Sequence, residues 1–262
     1  MEGEFQKQNR RLLYIINPLT RQVFVLPPTS VGIQIPKLCG IGYAAASMEY
    51  KVVLTLSCFK DSSVWGILTV GVDSSWRIVR TDHLPRSALR LCPPLTTEGF
   101  MHWAVGGDRG ERKIGNQVLT LDVETEIVTV SCVPFNYGGY DHWTYLSTGR
   151  CLTLLITCGK FLWEVWEMKL GNKGGEWRKM DGVIIDLGAR MFEQFGFKLV
   201  PDGWLKYLEV LVLRHYCPSL NRLSIFAYNL LTKEISPIGL PNVCTRCRPA
   251  VNKNSLVWLA GC

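Results

Sequence analysis

The sequence lacks any unbroken apolar run near the roughly 18 residues that a bilayer crossing requires; the stretch from Cys151 to Ile156 is far too short. Its opening residues, MEGEFQKQNRR, are polar and hold no apolar core of the kind a signal peptide carries. These absences predict an intracellular chain, cytoplasmic and/or nuclear, with no membrane partner. Charge is also scarce: 19% of residues are charged against 47% apolar, which excludes whole-chain disorder. No segment shows a long apolar period of 3.6 residues. The best candidate for a helical turn, LGARMFEQFGFKLV at 187–200, is interrupted by Gly188 and Gly196.

Catalytic signatures are missing too. There is no G-x-x-x-x-G-K-[ST] phosphate loop, and GGDRGERKIG at 106–115 is read as a surface loop between strands. There is no G-x-S-x-G nucleophile elbow. The four histidines, His83, His102, His142 and His215, form no H-x-x-x-H pair. Asp141 beside His142 could tune a general base, but neighbours along a strand point to opposite faces, and no nucleophile accompanies them. Cysteine is not scarce, with ten residues. Cys58, Cys132, Cys151 and Cys158 lie in strand-like runs and are expected to be reduced, buried thiols. Cys244 and Cys247 form a lone C-x-x-C without a second pair, so no metal or other cofactor is expected.

What is present is strand after strand. Runs rich in Val, Ile, Leu, Thr and aromatics lie near 12–16, 22–26, 49–57, 64–71, 76–80, 99–105, 117–121, 126–131, 151–157, 161–169, 176–180, 206–215, 222–228, 233–238 and 254–259. One turn recurs between them. Asn17-Pro-Leu-Thr20-Arg, Asp122-Val-Glu-Thr125-Glu and Asn229-Leu-Leu-Thr232-Lys each join two strands. Their starts are 122 − 17 = 105 and 229 − 122 = 107 positions apart. The Asn or Asp side chain can accept backbone N–H bonds two residues on, and the Thr hydroxyl can add a local bond. A second device alternates with the first: an apolar strand, a Gly/Ser turn and Trp-Arg, at Trp76-Arg77 and Trp177-Arg178. GFMHWAV (99–105) and NSLVWLAG (254–261) form a third look-alike pair.

A period near a hundred residues suits two propeller blades of ~40–50 residues each. Two sheets facing each other would also satisfy a strand-only chain, but the long cyclic period favours the propeller. The fold expected is all-β, a β-propeller-like array of about six antiparallel blades, incomplete at the N-terminus. Residues 1–11 form a polar tail and 12–262 the domain. Trp65, Trp103, Trp163, Trp166 and Trp258 would fill the space between sheets.

The motifs resemble, in order, the region that follows the F-box in plant F-box proteins, a family with kelch-like, propeller-type C-terminal regions. The resemblance is carried by NPLTRQVFVLPP (17–28), GYAAASMEYKVV (42–53), SSWRIV (74–79), EGFMHWAV (98–105), VLTLDVETE (118–126), FLWEVWEMK with EWRKM (161–180) and NSLVWLAG (254–261). It covers the chain from about residue 12 onward. It implies a protein-interaction module, the substrate-recognition domain of a cullin-based ubiquitin ligase, and no enzyme; because the family's strand also carries His-Trp, it implies that His102 is a packed core histidine. In that family a helical F-box binds a Skp-type adaptor. Here about ten polar residues precede the first motif, too few for it. A Skp-type adaptor is therefore expected as a partner only of a longer form, and an array short of part of its first blade is expected to leave a strand edge open.

The loop FNYGGYDHW (135–143) is the candidate contact with a still unknown substrate protein, through Tyr137, Tyr140, His142 and Trp143, because aromatics flanking glycines offer rigid amphipathic area. The alternative is a small-ligand-binding or enzymatic propeller with polar groups converging on a central channel. A net charge of +7 raises nucleic acid as a third reading, but the basic residues are dispersed, so no nucleic-acid partner is expected.

Overall fold

The computed structural model describes residues 13–17, 20–28, 38–57, 63–80, 94–104, 117–133, 143–158, 162–171, 174–186, 199–217 and 222–238. Every regular element among them is a strand. A hairpin of β1 (Tyr14–Ile16) and β2 (Val23–Val25) comes first. Four sheets of four strands follow. The first sheet holds β3 (Leu38–Ala44), β4 (Glu49–Ser57), β5 (Ser63–Thr69) and β6 (Arg77–Arg80). The second holds β7 (Leu95–Thr97), β8 (Phe100–Ala104), β9 (Gln117–Asp122) and β10 (Val128–Cys132). The third holds β11 (Trp143–Ser147), β12 (Leu152–Thr157), β13 (Leu162–Gly171) and β14 (Gly174–Asp186). The fourth holds β15 (Leu199–Lys206), β16 (Val210–Cys217), β17 (Arg222–Asn229) and β18 (Ile235–Ile238). Each sheet is an antiparallel meander in sequence order.

The apolar side chains form four separate cores in series rather than one. Leu13, Ile15 and Phe24 of the hairpin segment pack against Val52, Leu54, Leu68 and Trp76 of the first sheet. Val53, Trp65 and Ile67 of the first sheet meet Met101, Trp103, Leu119 and Leu121 of the second. Ala104 and Val118 of the second meet Tyr145, Leu152, Leu154 and Met168 of the third. Leu155, Trp163 and Val165 of the third meet Trp204, Leu211, Leu213 and Phe226 of the fourth. Alternate residues of each central strand therefore serve two different neighbours, as the period of two requires. A two-sheet sandwich would own a single core between its layers; this serial arrangement is the radial packing of propeller blades.

The first strands touch in succession, β3 with β7, β7 with β11 and β11 with β15, so they form the inner wall. Crowding there explains two glycines of β3. A Cβ on Gly42 would stand 2.7 Å from Val123 and 2.8 Å from Met101, and one on Gly40 would stand 2.9 Å from Pro94. Polar bonds stitch the same joints. Ser147 Oγ donates to the Thr96 carbonyl at 2.5 Å, Gly175 N–H to Ser131 Oγ at 2.8 Å, and Trp204 Nε1–H to Thr153 Oγ1 at 3.0 Å.

Four of the five tryptophans named from sequence are among the described residues and behave as filler; Trp258 lies outside them. Trp65 and Trp103 are fully buried with ring centroids 4.5 Å apart, and Trp163 and Trp166 are packed in the cores on either side of the third sheet. Three expectations need comment. The run 206–215 is two strands, broken at Tyr207–Glu209, where Leu208 takes a φ of 56°. The inner strands β3, β7 and β11 were not foreseen as strands. Cys132 and Cys158 are exposed and Cys151 half-buried, because they fall at an outer strand and at strand ends rather than on core-facing positions. Cys58, the C-x-x-C at 244–247, the segment 187–198 and the strand at 254–259 lie outside the described residues. So does much of what an array of about six blades would need; the described residues supply four four-stranded blades and one hairpin.

Candidate interaction surface

An up-and-down sheet of four strands places its first-to-second and third-to-fourth turns at one end. The second-to-third loop and the link to the next sheet lie at the other. Applied to these blades, one rim collects the turns at 17–22, 45–48, 70–76, 98–99, 123–127, 148–151, 172–173, 207–209 and 230–234, all two to seven residues long. The opposite rim collects the ends of the connections 26–37, 58–62, 81–94, 105–116, 133–142, 158–161, 187–198 and 218–221.

The short-turn rim is rigid for a reason visible in the repeat. Each recurring turn joins a third strand, or β1, to its successor. Asp122 Oδ1 accepts from the Glu124 and Thr125 N–H groups at 2.8 and 3.2 Å. Asn229 Oδ1 accepts from Leu231 and Thr232 at 2.9 and 3.1 Å. Asn17 Oδ1 accepts from Thr20 at 3.3 Å, and Thr20 Oγ1 accepts in turn from the Gln22 N–H at 3.4 Å. The backbone closes identically, Asn17 N–H to the Gln22 carbonyl, Asp122 to Ile127 and Asn229 to Glu234, at 2.9, 3.0 and 2.9 Å. The charged residue after each Thr is left-handed: Arg21, Glu126 and Lys233 have φ of 58°, 61° and 60°.

One of these turns reaches across a joint. Glu126 receives Arg77 Nη1 at 2.5 Å, Arg77 Nη2 at 2.7 Å and the ammonium of Lys51 at 2.9 Å. Arg77 also bonds Asp73 at 3.1 Å. Glu124 accepts from the Ala46 and Ser47 N–H groups at 3.1 and 3.3 Å, and its carbonyl receives Lys51 Nζ at 3.2 Å. The guanidinium of Arg77 holds the Glu126 carboxyl below its ordinary range, and Glu126 in turn raises Arg77. Burial works to raise Asp73, but the Thr69 N–H and Arg77 outweigh it and lower it. Sequence reading singled out Arg77 and Glu126 only as repeat positions. The signal that could have found the cluster is the acidic Glu126 where the other two copies carry Arg21 and Lys233.

The connection 133–142, in which the sequence-predicted contact residues Tyr137, Tyr140 and His142 fall, leaves β10 and enters β11 at the other rim. Tyr137, Tyr140 and His142 lie outside the described residues. Trp143 opens β11 on the inner wall, half-buried, its ring edge-on to Tyr145 with centroids 5.3 Å apart. The connections that end on this rim hold Phe59, Phe135, Phe161, Phe192, Phe195 and Phe197, six of the ten phenylalanines. None falls in the short turns.

His102 shows why the interior offers no acid–base centre there. It is 1% exposed within the second blade, with Nε2 2.9 Å from Thr97 Oγ1 and Nδ1 3.0 Å from Thr120 Oγ1. Thr120 Oγ1 in turn donates to Met168 Sδ at 3.9 Å. A single direction satisfies the chain: Thr97 donates to Nε2, Nδ1–H donates to Thr120, and Thr120 donates to sulfur. Burial pushes the imidazole down to about 4, so it stays neutral and out of reach of a substrate. Between the third and fourth blades, Tyr207 donates to Glu167, and burial and that carboxylate raise the phenol further out of range. Among the described residues no three His, Cys, Asp or Glu side chains are grouped to hold a metal ion.

Serial inter-blade cores and an inner wall of first strands define a β-propeller, with every connection of ten or more residues leaving and entering its strands at one rim. The description "F-box associated beta propeller domain" matches residues 2–250, and the chain belongs to that family. Comparison with curated proteins produced no match.

Proposed function

We propose that this domain recognises a protein substrate of a cullin-based ubiquitin ligase, and that it does so with the rim bearing the long connections. The observation that carries the reading is the sorting of the loops. One rim is closed by tight, bonded turns; the other gathers connections of up to fourteen residues whose sequences hold most of the phenylalanines and Tyr137, Tyr140 and His142, with Trp143 at the start of β11. Long connections on a fixed scaffold are where recognition resides, and aromatic side chains give the most contact energy per ordered residue. A Skp-type adaptor joins through an F-box, so a form carrying one would couple the bound protein to the ligase.

The test is to join an F-box ahead of residue 12, express the fusion in cells, and measure protein abundance with proteasome activity on and off. At least one protein should fall in abundance, recover on proteasome inhibition, and recover equally when Tyr137→Ala and Tyr140→Ala are combined. A fusion that binds the adaptor yet depletes nothing would overturn the ligase reading. Depletion indifferent to the tyrosines, but lost on changing the short-turn rim, would move the binding face.

A further inference from the structure

We infer that Met48, Val72 and Ile127, on the rim of short turns, form a docking site for a basic, apolar peptide segment of a partner protein. Met48 carries the inference. Each first-to-second turn of the four blades holds one left-handed residue: Met48, Gly99, Gly149 and Leu208, with φ of 58°, 74°, 86° and 56°. Glycine takes that conformation freely, whereas a larger residue is strained in it. Leu208 is compensated, because it packs on the core between the third and fourth blades. Met48 is not: it is 75% exposed and joins none of the four cores. A long apolar side chain that is both strained and left in water does nothing for the fold, and such outliers gather at binding surfaces.

Two more apolar side chains stand in the neighbouring turns: Val72 is 67% exposed and Ile127 60%. The three residues come from three turns of two blades, and the glutamates of the turn 123–127 tie those turns together. Glu124 takes the N–H groups of Ala46 and Ser47, next to Met48. Glu126, next to Ile127, takes Arg77, which also holds Asp73, next to Val72. Asp73 in turn accepts the Thr69 N–H at 2.7 Å, which fixes the turn that bears Val72. The patch is therefore preorganised, and little ordering of this chain accompanies docking on it.

Charge identifies the occupant. The turn 98–99 belongs to the same group, since the Val123 N–H donates to the Gly99 carbonyl at 2.9 Å. Together, residues 45–51, 70–77, 98–99 and 122–127 hold six carboxylates, the exposed Glu98 among them, against Lys51 and Arg77. Their balance is 2 − 6 = −4, in a chain whose net charge is +7. An apolar centre in acidic surroundings selects a segment in which Leu, Ile, Met or Phe is flanked by Lys or Arg, and it repels nucleic acid and acidic peptides. Three side chains suit a short segment, because a folded interface buries about 800 Å² on each partner. The patch lies on the rim away from the long connections, so both rims can be occupied together.

Met48→Gly tests this, because it removes the apolar side chain and the strain together. The variant should melt no lower than the native chain, so lost binding cannot be laid to unfolding. Short random peptides displayed on phage are depleted on the full chain carrying Met48→Gly and then selected on the native chain. The survivors should combine Lys or Arg with large apolar residues. As synthetic peptides they should bind the native chain at least about tenfold more tightly than Met48→Gly or Val72→Ser, and more weakly as salt rises. Should Met48→Gly melt lower, Val72→Ser replaces it in the depletion step. No surviving peptide, acidic survivors, or equal binding to native and variant chains would each overturn the site. A concentration-dependent dimer that Met48→Gly abolishes would give the patch to a second copy and overturn the peptide partner.

Discussion

Acidification should weaken this propeller through a single buried imidazole. His102 is neutral in the folded chain, held at about 4 by burial, whereas the same side chain in unfolded protein titrates near 6.5. A lowered folded value for a base means that protonation favours the unfolded state. Stability is therefore complete above pH 6.5 and declines as pH falls towards 4. The shift amounts to about 3 kcal/mol in full and about 2 kcal/mol by pH 5. For a chain of this size that is roughly 4–8 °C in melting temperature between pH 7.5 and 5. The carboxylates of the Arg77 cluster titrate lower, so they leave this window clear. His102→Gln keeps a polar group for Thr97 and Thr120 but cannot take the proton. The assay is denaturant midpoint against pH for both proteins. The native chain should lose stability steeply between pH 6.5 and 5 and the variant should be nearly flat there. Parallel curves would refute the reasoning.

Four further outcomes follow from the joints and turns. Glu126→Gln strips the partner from Lys51 and Arg77 and should cost about 1–3 kcal/mol by equilibrium unfolding. Because the native carboxyl titrates below its unfolded value of 4.5, that difference should hold above pH 5 and shrink as pH falls below 4. Gly42→Ala drives a methyl into Val123 and Met101 between the first two blades and should cost about 1–3 kcal/mol, read from the same unfolding curves. Asn229→Ala, which orphans two turn N–H groups, should cost about 1 kcal/mol, whereas Lys233→Gly relieves a left-handed residue two positions before β18 and should gain up to about 1 kcal/mol.

Much of the frame was legible before any coordinates. The turn spacing of 105 and 107 positions announced a two-blade period, and each copy proved to sit at the end of a third strand or of β1. The buried tryptophans were readable because large aromatics belong to a packed interior, and His102 because its strand resembles the family's His-Trp strand. The inner strands were not readable. β7 is only Leu-Thr-Thr, β3 carries two glycines and β15 carries Pro201 and Gly203, all poor strand signals. The Lys51–Arg77–Glu126 cluster was equally hidden, since its members come from two different blades.

The sequence by itself determined the local elements: which runs extend, where each Asn or Asp turn reverses the chain, and the order in which blades repeat. These depend on side chains within a few residues of one another, so a linear reading reaches them. Only the tertiary structure decided which glycines face a neighbouring blade, which charges meet across a joint and which loops share a rim. Those follow from radial packing, which brings residues some fifty positions apart into contact, and no short-range pattern records such a meeting.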